Sequence, residues 1–112
     1  MSQTNETTKK ILNFLFERQV FAWRNSVGAF RTEHGYYQMG KAGSPDIMAI
    51  LPPLGKFLGI EIKTGKDSLR DEQIGFIKNT ERMGAQVLVV KDFEDFEKQW
   101  TKILTEKVSV TS

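Results

Sequence analysis

The sequence has no cysteine, only one histidine and only three prolines among its 112 residues. The lack of cysteine excludes a disulfide framework and a thiolate zinc site, so a bound metal must rely on oxygen ligands or on His34. No apolar run is long enough to cross a bilayer, and the first ten residues lack the apolar core of a signal peptide. We therefore expect a soluble, cytoplasmic protein with no membrane association and no small-molecule cofactor.

The sequence also lacks a strong excess of positive or negative residues, and its formal net charge is +2. The distribution is uneven, since residues 1–45 carry a net +3 and residues 46–112 a net −1. Basic charge upstream of residue 46 gives weak support for a nucleic-acid partner, because mixed-sign surfaces are common in soluble proteins. With 39% hydrophobic residues the chain can enclose one core. We expect a single domain over residues 1–112, in which residues 104–112 form a tail that frays.

The apolar pattern predicts one helix, then four strands. The helix runs from a cap at Thr4 or Asn5 to about Arg18, because one face repeats apolar residues every three or four positions. These residues are Ile11, Leu12, Leu15 and Phe16. Four strands should follow at residues 20–26, 36–39, 46–51 and 56–63, with a glycine-containing connection over residues 28–35.

The second half predicts a helix, a strand and a final helix. Ser68 and Asp71 have capping-box spacing ahead of a helix that ends near Met83, with Ile74 and Ile77 directed inward. Gln73 lies four residues before Ile77 and is therefore expected on the buried side. The apolar run at residues 86–90 indicates a central strand covered on both faces. A last helix should begin at Asp92, with Phe93, Phe96, Trp100 and Ile103 on one face.

This order, α-β-β-β-β-α-β-α, predicts an α/β (α+β) fold in which helices flank a mixed central sheet. The crossover that joins the strand at residues 56–63 to the strand at residues 86–90 should be right-handed and parallel.

The predicted hairpin of residues 46–63 contains the charged residues that indicate a catalytic site. If residues 52–55 form a four-residue turn, Leu51 pairs with Lys56, and counting back sets Asp46 across from Glu61. Opposed residues of an antiparallel pair share a face with Cα atoms roughly 4.5–5.5 Å apart, so the two carboxylates should repel each other. Lys63 lies two residues after Glu61 and therefore points to the same side. Leu58, Ile60 and Ile62 point to the other side and can pack beneath a helix.

A divalent cation would relieve this repulsion. Two carboxylates, a backbone carbonyl and waters form an oxygen site that suits Mg²⁺ or Mn²⁺. Such an ion can lower the pKa of a bound water and neutralise charge that develops on a phosphate, while a nearby lysine stabilises the same charge. The pattern therefore indicates phosphodiester hydrolysis. The simpler alternative is that Glu61 and Lys63 are solvated strand charges and that Asp46 is a turn residue.

Pro45-Asp46 followed by Glu61-Ile62-Lys63 resembles the PD-(D/E)xK nuclease motif. The wider context is similar to the VRR-NUC family of that superfamily: the Gly-Ser-Pro-Asp segment at 43–46, Ile-Glu-Ile-Lys-Thr at 60–64, and Leu-Arg-Asp-Glu-Gln at 69–73, which opens a helix. The resemblance spans nearly the whole chain, to about Trp100. It implies a restriction-endonuclease-like core.

The resemblance also implies roles for individual residues. Asp46, Glu61 and the backbone carbonyl of Ile62 would bind the metal, Lys63 would be the catalytic lysine, and Gln73 matches the glutamine of the family. Glu6 occupies the place where the family puts an acidic site residue, although Glu6 and Lys10 also form an ordinary i,i+4 helix pair. From their charge or their place beside Asp46, we list as candidate DNA-binding residues Lys41, Gly43, Ser44, Lys66 and Arg24.

The function implied by this resemblance is that of a Mg²⁺- or Mn²⁺-dependent DNA endonuclease. Stand-alone members of this size resemble phage or bacterial proteins that work as homodimers on branched DNA such as four-way (Holliday) junctions. Three alternatives stay open. The domain could bind DNA without cleaving it, it could be specific for flap or duplex DNA, or it could be a restriction-type enzyme with a fixed recognition sequence, although its short loops leave little material for reading bases.

Overall fold

The computed structural model describes residues 3–26 and 28–111, and the side chains of residues 3–26, 31–37 and 40–104. The elements follow the order α1 (Gln3–Glu17), β1 (Phe21–Arg24), β2 (Gly28–Thr32), β3 (Gly35–Met39), β4 (Ile47–Leu51), β5 (Lys56–Ile62), α2 (Asp71–Arg82), β6 (Gln86–Val90) and α3 (Phe93–Thr111). No described helix is both long enough and apolar enough to span a bilayer.

Four strands form the main sheet, in the order β1-β4-β5-β6. β4 is antiparallel to both β1 and β5, whereas β5 and β6 are parallel across the α2 crossover, so the predicted mixed sheet is confirmed. β6 lies at the edge of this sheet and not at its centre, which corrects the prediction for residues 86–90. Its uninterrupted apolar sequence reflects cover by α2 on one face and α3 on the other.

The chain has one more strand than predicted. Residues 28–32 form β2, which pairs with β3 in a separate two-stranded sheet and not with the main one. Its sequence gave no apolar alternation, because the described part of this hairpin is exposed on both faces and needs no buried side. The order is therefore α-β-β-β-β-β-α-β-α.

The core lies between the main sheet and the pair of helices α1 and α3. Its fully buried side chains include Ile11 and Leu15 of α1 and Phe96 of α3. The strands contribute alternate residues from their α1-facing side, namely Ile47, Ala49, Leu58, Ile60, Ile62, Leu88 and Val90. Phe14 packs edge-on against Phe96 with ring centroids 5.3 Å apart. Phe16, which was predicted for the buried face of α1, is 81% exposed.

The helix boundaries also correct the sequence reading. The residue that caps α2 is Arg70, not Ser68, and the buried residue of α2 is Gln73, whereas Ile74 is 37% exposed. At α3 the expected cap is confirmed, because the Asp95 backbone N–H donates to Oδ1 of Asp92 over 2.7 Å. The helical backbone of α3 continues to Thr111, through the tail that was expected to fray, and residue 112 lies outside the described residues.

Candidate active site

The hairpin of β4 and β5 has the register predicted from its turn. Leu51 pairs with Lys56, and the pairing continues to Ile47 and Ile60. One more step brings Asp46 opposite Glu61, on the face of the sheet that α2 covers. Because side chains alternate along a strand, Ile60 and Ile62 point to the opposite face, into the core.

Asp46 is held in place by the loop that precedes it. The Asn25 side-chain amide donates to Oγ of Ser44 at 2.7 Å and to the carbonyl of Pro45 at 2.9 Å. The Asn25 backbone N–H donates to the carbonyl of Asp46 at 2.8 Å. Ser44 in turn donates its hydroxyl to the carbonyl of Lys41 at 2.7 Å. These bonds fix the backbone on both sides of Pro45, and they join the loop to the end of β1.

Two glycines allow the loop to pack tightly against its neighbours. Gly43 has φ +85°, and a Cβ at this position would lie 2.1 Å from the backbone oxygen of Glu72. A Cβ on Gly59 would lie 2.6 Å from Cγ of Pro45. Any side chain at either position would displace the loop from α2 or from β5.

The carboxylate of Asp46 reaches across to β5. Its Oδ2 accepts a hydrogen bond of 2.8 Å from the backbone N–H of Ile62. The neighbouring Glu61 side chain is only 4% exposed and, when protonated, it donates a hydrogen bond to Asp46. The two acidic groups therefore share one side of the sheet, as the hairpin register predicted.

The pKa of Glu61 is raised from its ordinary value of 4.5 to about 8, chiefly by burial and also by the negative charge and the hydrogen bond of Asp46. The positive charges of Lys63 and Arg70 act against this rise. A buried carboxyl beside a second carboxylate is costly to ionise unless a cation is present. This position therefore favours either a proton or a positive ion between the two groups.

Gln73 connects α2 to Glu61. Its Nε2 donates to Oε1 of Glu61 over 3.0 Å, and its Oε1 accepts from the backbone N–H of Arg70 over 2.9 Å. Both ends of the amide are thus used, and the side chain is only 4% exposed. The glutamine orients Glu61 and also satisfies a free N–H at the start of the helix.

These residues surround an open cleft with a volume of ≈ 330 Å³. On an ordinary allowance of about 30 Å³ per water molecule, that space can hold a phosphodiester group together with a hydrated cation. The cleft is lined by Asn25, Ser26, Gly43, Ser44, Pro45, Asp46, Glu61, Arg70 and Gln73. It is therefore predominantly polar.

A family model described as the VRR-NUC domain matches residues 3–92, which is most of the chain. The chain belongs to the VRR-NUC family. This is a PD-(D/E)xK-like nuclease family, so the chain carries a nuclease-type domain that acts on DNA. No curated protein matches the sequence. The family match covers both halves of the hairpin site and the start of α2.

The donor set of this VRR-NUC domain fits a divalent cation held on oxygen ligands. Asp46 and Glu61 offer two carboxylates on one side of the sheet, and their mutual repulsion is the unfavourable interaction that a cation would remove. Among the described side chains, those of residues 3–26, 31–37 and 40–104, no three His, Cys, Asp or Glu residues cluster closely enough to hold a metal ion. Glu6 is exposed on α1 and does not join the pair as a third carboxylate. Its role stays a prediction.

The structure places the candidate DNA-binding residues in different surroundings. Gly43 and Ser44 line the cleft, but both are buried and packed or hydrogen-bonded within the chain. Lys41 and Lys66 are exposed in the loops on either side of the hairpin. Arg24 pairs with Ile47 and so faces α1, where its Nη1 lies 3.5 Å from Oδ1 of Asn5. Arg24 is thus directed away from the cleft.

Four residues of the cleft were absent from the sequence-based list of site residues, namely Asn25, Ser26, Pro45 and Arg70. Asn25 follows the aromatic strand β1, and its role depends on the pairing of β1 with β4, two strands that are not adjacent in the chain. Arg70 lies in the segment that carries the family resemblance. Its position directly before a predicted helix was the only signal that could have identified it. A polar residue at the end of a strand was the available signal for Asn25.

Proposed function

We propose that this VRR-NUC domain is a Mg²⁺- or Mn²⁺-dependent endonuclease that hydrolyses phosphodiester bonds in branched DNA, such as four-way junctions. The observation that carries this proposal is the pairing of Asp46 with Glu61 across the hairpin, with Lys63 beside them. We further propose that residues 1–112 form a single domain and that it acts in the cytoplasm of a bacterial or phage-infected cell.

In this proposal Asp46, Glu61 and the backbone carbonyl of Ile62 hold the cation. When bound, the ion supplies a water of lowered pKa and neutralises charge on the phosphate. Lys63 is half-buried and close enough to Glu61 to act on its charge, so its ammonium group adds a second positive charge for the phosphate. Gln73 holds the Glu61 carboxylate in one orientation.

Cleavage of labelled DNA tests this function directly. Purified protein should cut a four-way junction with Mg²⁺ or Mn²⁺ and not with EDTA. The Lys63→Ala variant should bind the same DNA and leave it intact, whereas Lys56→Ala, at an exposed lysine at the other end of β5, serves as the matched control. Single-stranded, flap and duplex substrates in the same panel measure the preference for branches. Equal cutting by Lys63→Ala and the parent protein would contradict the assignment.

A homodimer would bring two such centres to a symmetric junction. It is supported by apolar side chains on the Glu61 face of the sheet that α2 does not cover. Phe21, Trp23 and Ile50 are 69%, 39% and 37% exposed, and the rings of Phe21 and Trp23 lie 5.2 Å apart. Exposed apolar patches of this kind commonly mark protein interfaces.

Solution mass measured by analytical ultracentrifugation tests this part of the proposal. The parent chain should have the mass of a dimer, and a Phe21→Ser, Trp23→Ser double variant should shift towards the monomer. A Phe16→Ser variant is the control, because Phe16 is 81% exposed on α1, away from this face. A parent chain that is monomeric at all concentrations would refute the dimer.

A further inference from the structure

Arg70, the residue before α2, brings a positive charge to the cleft, and Lys63, the residue after β5, acts with its charge on Glu61. Arg70 lines the cleft together with Asp46, Glu61 and Gln73. Its side chain is 66% exposed, so the guanidinium is available to a molecule that enters from solvent. Its charge acts on Glu61 and favours the ionised carboxylate, which lowers the pKa of Glu61. Arg70 is therefore electrically coupled to the acidic pair.

Arg70 makes contacts through its backbone N–H and through Nε of its guanidinium. Its backbone N–H donates to Oε1 of Gln73, the same amide that contacts Glu61. Its Nε lies 3.2 Å from Oε1 of Glu72. This contact at Nε does not occupy the outer edge of the guanidinium, which is formed by the two Nη groups and can bind phosphate oxygens in a bidentate manner.

Arginine is an unusual choice for the residue that precedes a helix. This position favours Ser, Thr, Asp or Asn, because their side-chain oxygens accept a hydrogen bond from the first turn. The Arg70 side chain makes no such capping bond. Helix capping therefore does not account for an arginine at this position.

We propose that the guanidinium of Arg70 binds the DNA phosphate that occupies the cleft, as a substrate-binding residue of this centre. This inference rests on the proposed endonuclease function. It assigns the cleft a phosphate-binding group directly before α2 in addition to Lys63 directly after β5. The Glu72 carboxylate contacts Arg70 at Nε, so the outer edge of the guanidinium remains for the phosphate.

The alternative is that Arg70 and Glu72 form only a surface ion pair. Such exposed pairs contribute little to stability, and an arginine in this role would have no effect on DNA. The two readings differ in what happens when each partner is removed. Loss of Glu72 leaves the phosphate-binding group intact, whereas loss of Arg70 removes it.

The test compares Arg70→Gln, Arg70→Lys and Glu72→Gln in the full chain. The matched control is Arg82→Gln, at an exposed arginine in the last turn of the same helix. Dissociation constants for a four-way junction are measured in EDTA at several salt concentrations, and kcat and KM are measured with Mg²⁺. Thermal unfolding of each variant shows that it is folded.

Arg70→Gln should weaken binding about ten- to hundred-fold, because a charge-assisted contact is lost. It should also reduce the slope of log Kd against log salt by about one. Arg70→Lys should retain the slope and recover only part of the affinity, since an ammonium group cannot form the fork. Glu72→Gln and Arg82→Gln should bind like the parent chain. If Arg70→Gln matches Arg82→Gln in both affinity and slope, the inference is wrong.

These outcomes separate the inference from the proposed function. If the parent chain binds DNA but cuts none of the substrates, the endonuclease function fails, and the salt slope of Arg70→Gln still decides the role of Arg70. If the parent chain cuts DNA and Arg70→Gln is unaffected, only the inference fails. If the parent chain does not bind DNA, both fail.

Discussion

Nε2 of Gln73 donates a hydrogen bond of 3.0 Å to Oε1 of Glu61 and thereby joins the first turn of α2 to the buried carboxyl of β5. This contact makes the orientation of Glu61 depend on the position of the helix. Because Asp46 is positioned separately, through Asn25 and the loop before β4, the two acidic groups are held by different parts of the fold. Each support can therefore be weakened without direct change to the other.

Replacement of Gln73 by alanine removes the donor to Glu61 and the acceptor for the Arg70 N–H. Loss of a hydrogen bond to a metal-binding side chain commonly lowers metal affinity or activity about 10–100-fold. We expect a loss of that size in kcat for DNA cleavage with Mg²⁺, together with weaker Mg²⁺ binding measured by calorimetry.

The control for this change is Ile74→Ala, at the next residue of α2, whose side chain is 37% exposed. Any general loosening of the helix should affect both variants alike. A Gln73→Ala protein with the activity of Ile74→Ala would show that the contact with Glu61 has no part in catalysis.

The stability of the chain without metal should decrease as the pH rises. Glu61 has a pKa of about 8 in the folded chain and an ordinary value of 4.5 when unfolded. Between these values the folded protein holds a proton that the unfolded chain has lost, so the free energy of unfolding falls with pH. The contribution of one such group changes by at most about 1.4 kcal/mol per pH unit. We expect a lower Tm at pH 8 than at pH 6 in EDTA.

Glu61→Gln provides the matched control, because the amide keeps the size of the side chain and cannot ionise. In EDTA its Tm should change less between pH 6 and pH 8 than that of the parent chain. Added Mg²⁺ should raise the Tm of the parent chain at pH 8 and leave that of Glu61→Gln nearly unchanged, since the variant has lost one of the two carboxylates. An identical pH dependence in both proteins would exclude Glu61 as the source.

Asn25→Ala should reduce activity without removing any group that contacts the metal. The change deletes the donor to Oγ of Ser44 and to the carbonyl of Pro45, and this partly buried carbonyl loses its side-chain partner. An unpaired buried polar group costs about 1–3 kcal/mol. We therefore expect a lower Tm and a lower kcat, measured beside Asn13→Ala, whose side chain is exposed on α1. Full activity in Asn25→Ala would mean that the loop holds Asp46 without this residue.

The sequence was sufficient to predict the hairpin, because a four-residue turn fixes which residues face each other. The pairing of Leu51 with Lys56 determines every later pair, and the alternation of Leu58, Ile60 and Ile62 identifies the core side. The parallel crossover through α2 to β6 was predictable from the order of the elements, since two parallel strands need a long connection that usually contains an α-helix.

Features that depend on contacts distant in the chain were not predictable in this way. Nothing local in the sequence shows that β1 pairs with β4, so the contact of Asn25 with Ser44 could not be seen. The described side chains of β2, at residues 31 and 32, are exposed, and the strand shows no apolar alternation. Gln73 is buried, as its place four residues before Ile77 predicted, but the exposure of Ile74 was not predictable, because it depends on the contact of Gln73 with Glu61 of β5.

Gly43→Ala should separate the loop before Asp46 from α2. A Cβ at position 43 would lie 2.1 Å from the backbone oxygen of Glu72, and backbone atoms cannot move aside as a flexible side chain can. Gly65 is the matched control, because it also has a positive φ, +63°, but a Cβ there would meet nothing within 4 Å. Gly65→Ala therefore measures the cost of the backbone conformation alone, about 1–2 kcal/mol. We expect Gly43→Ala to lower the Tm much more than Gly65→Ala and to lose cleavage activity at temperatures where it is still folded. Equal Tm values for the two variants would show that the loop can withdraw from α2 at little cost.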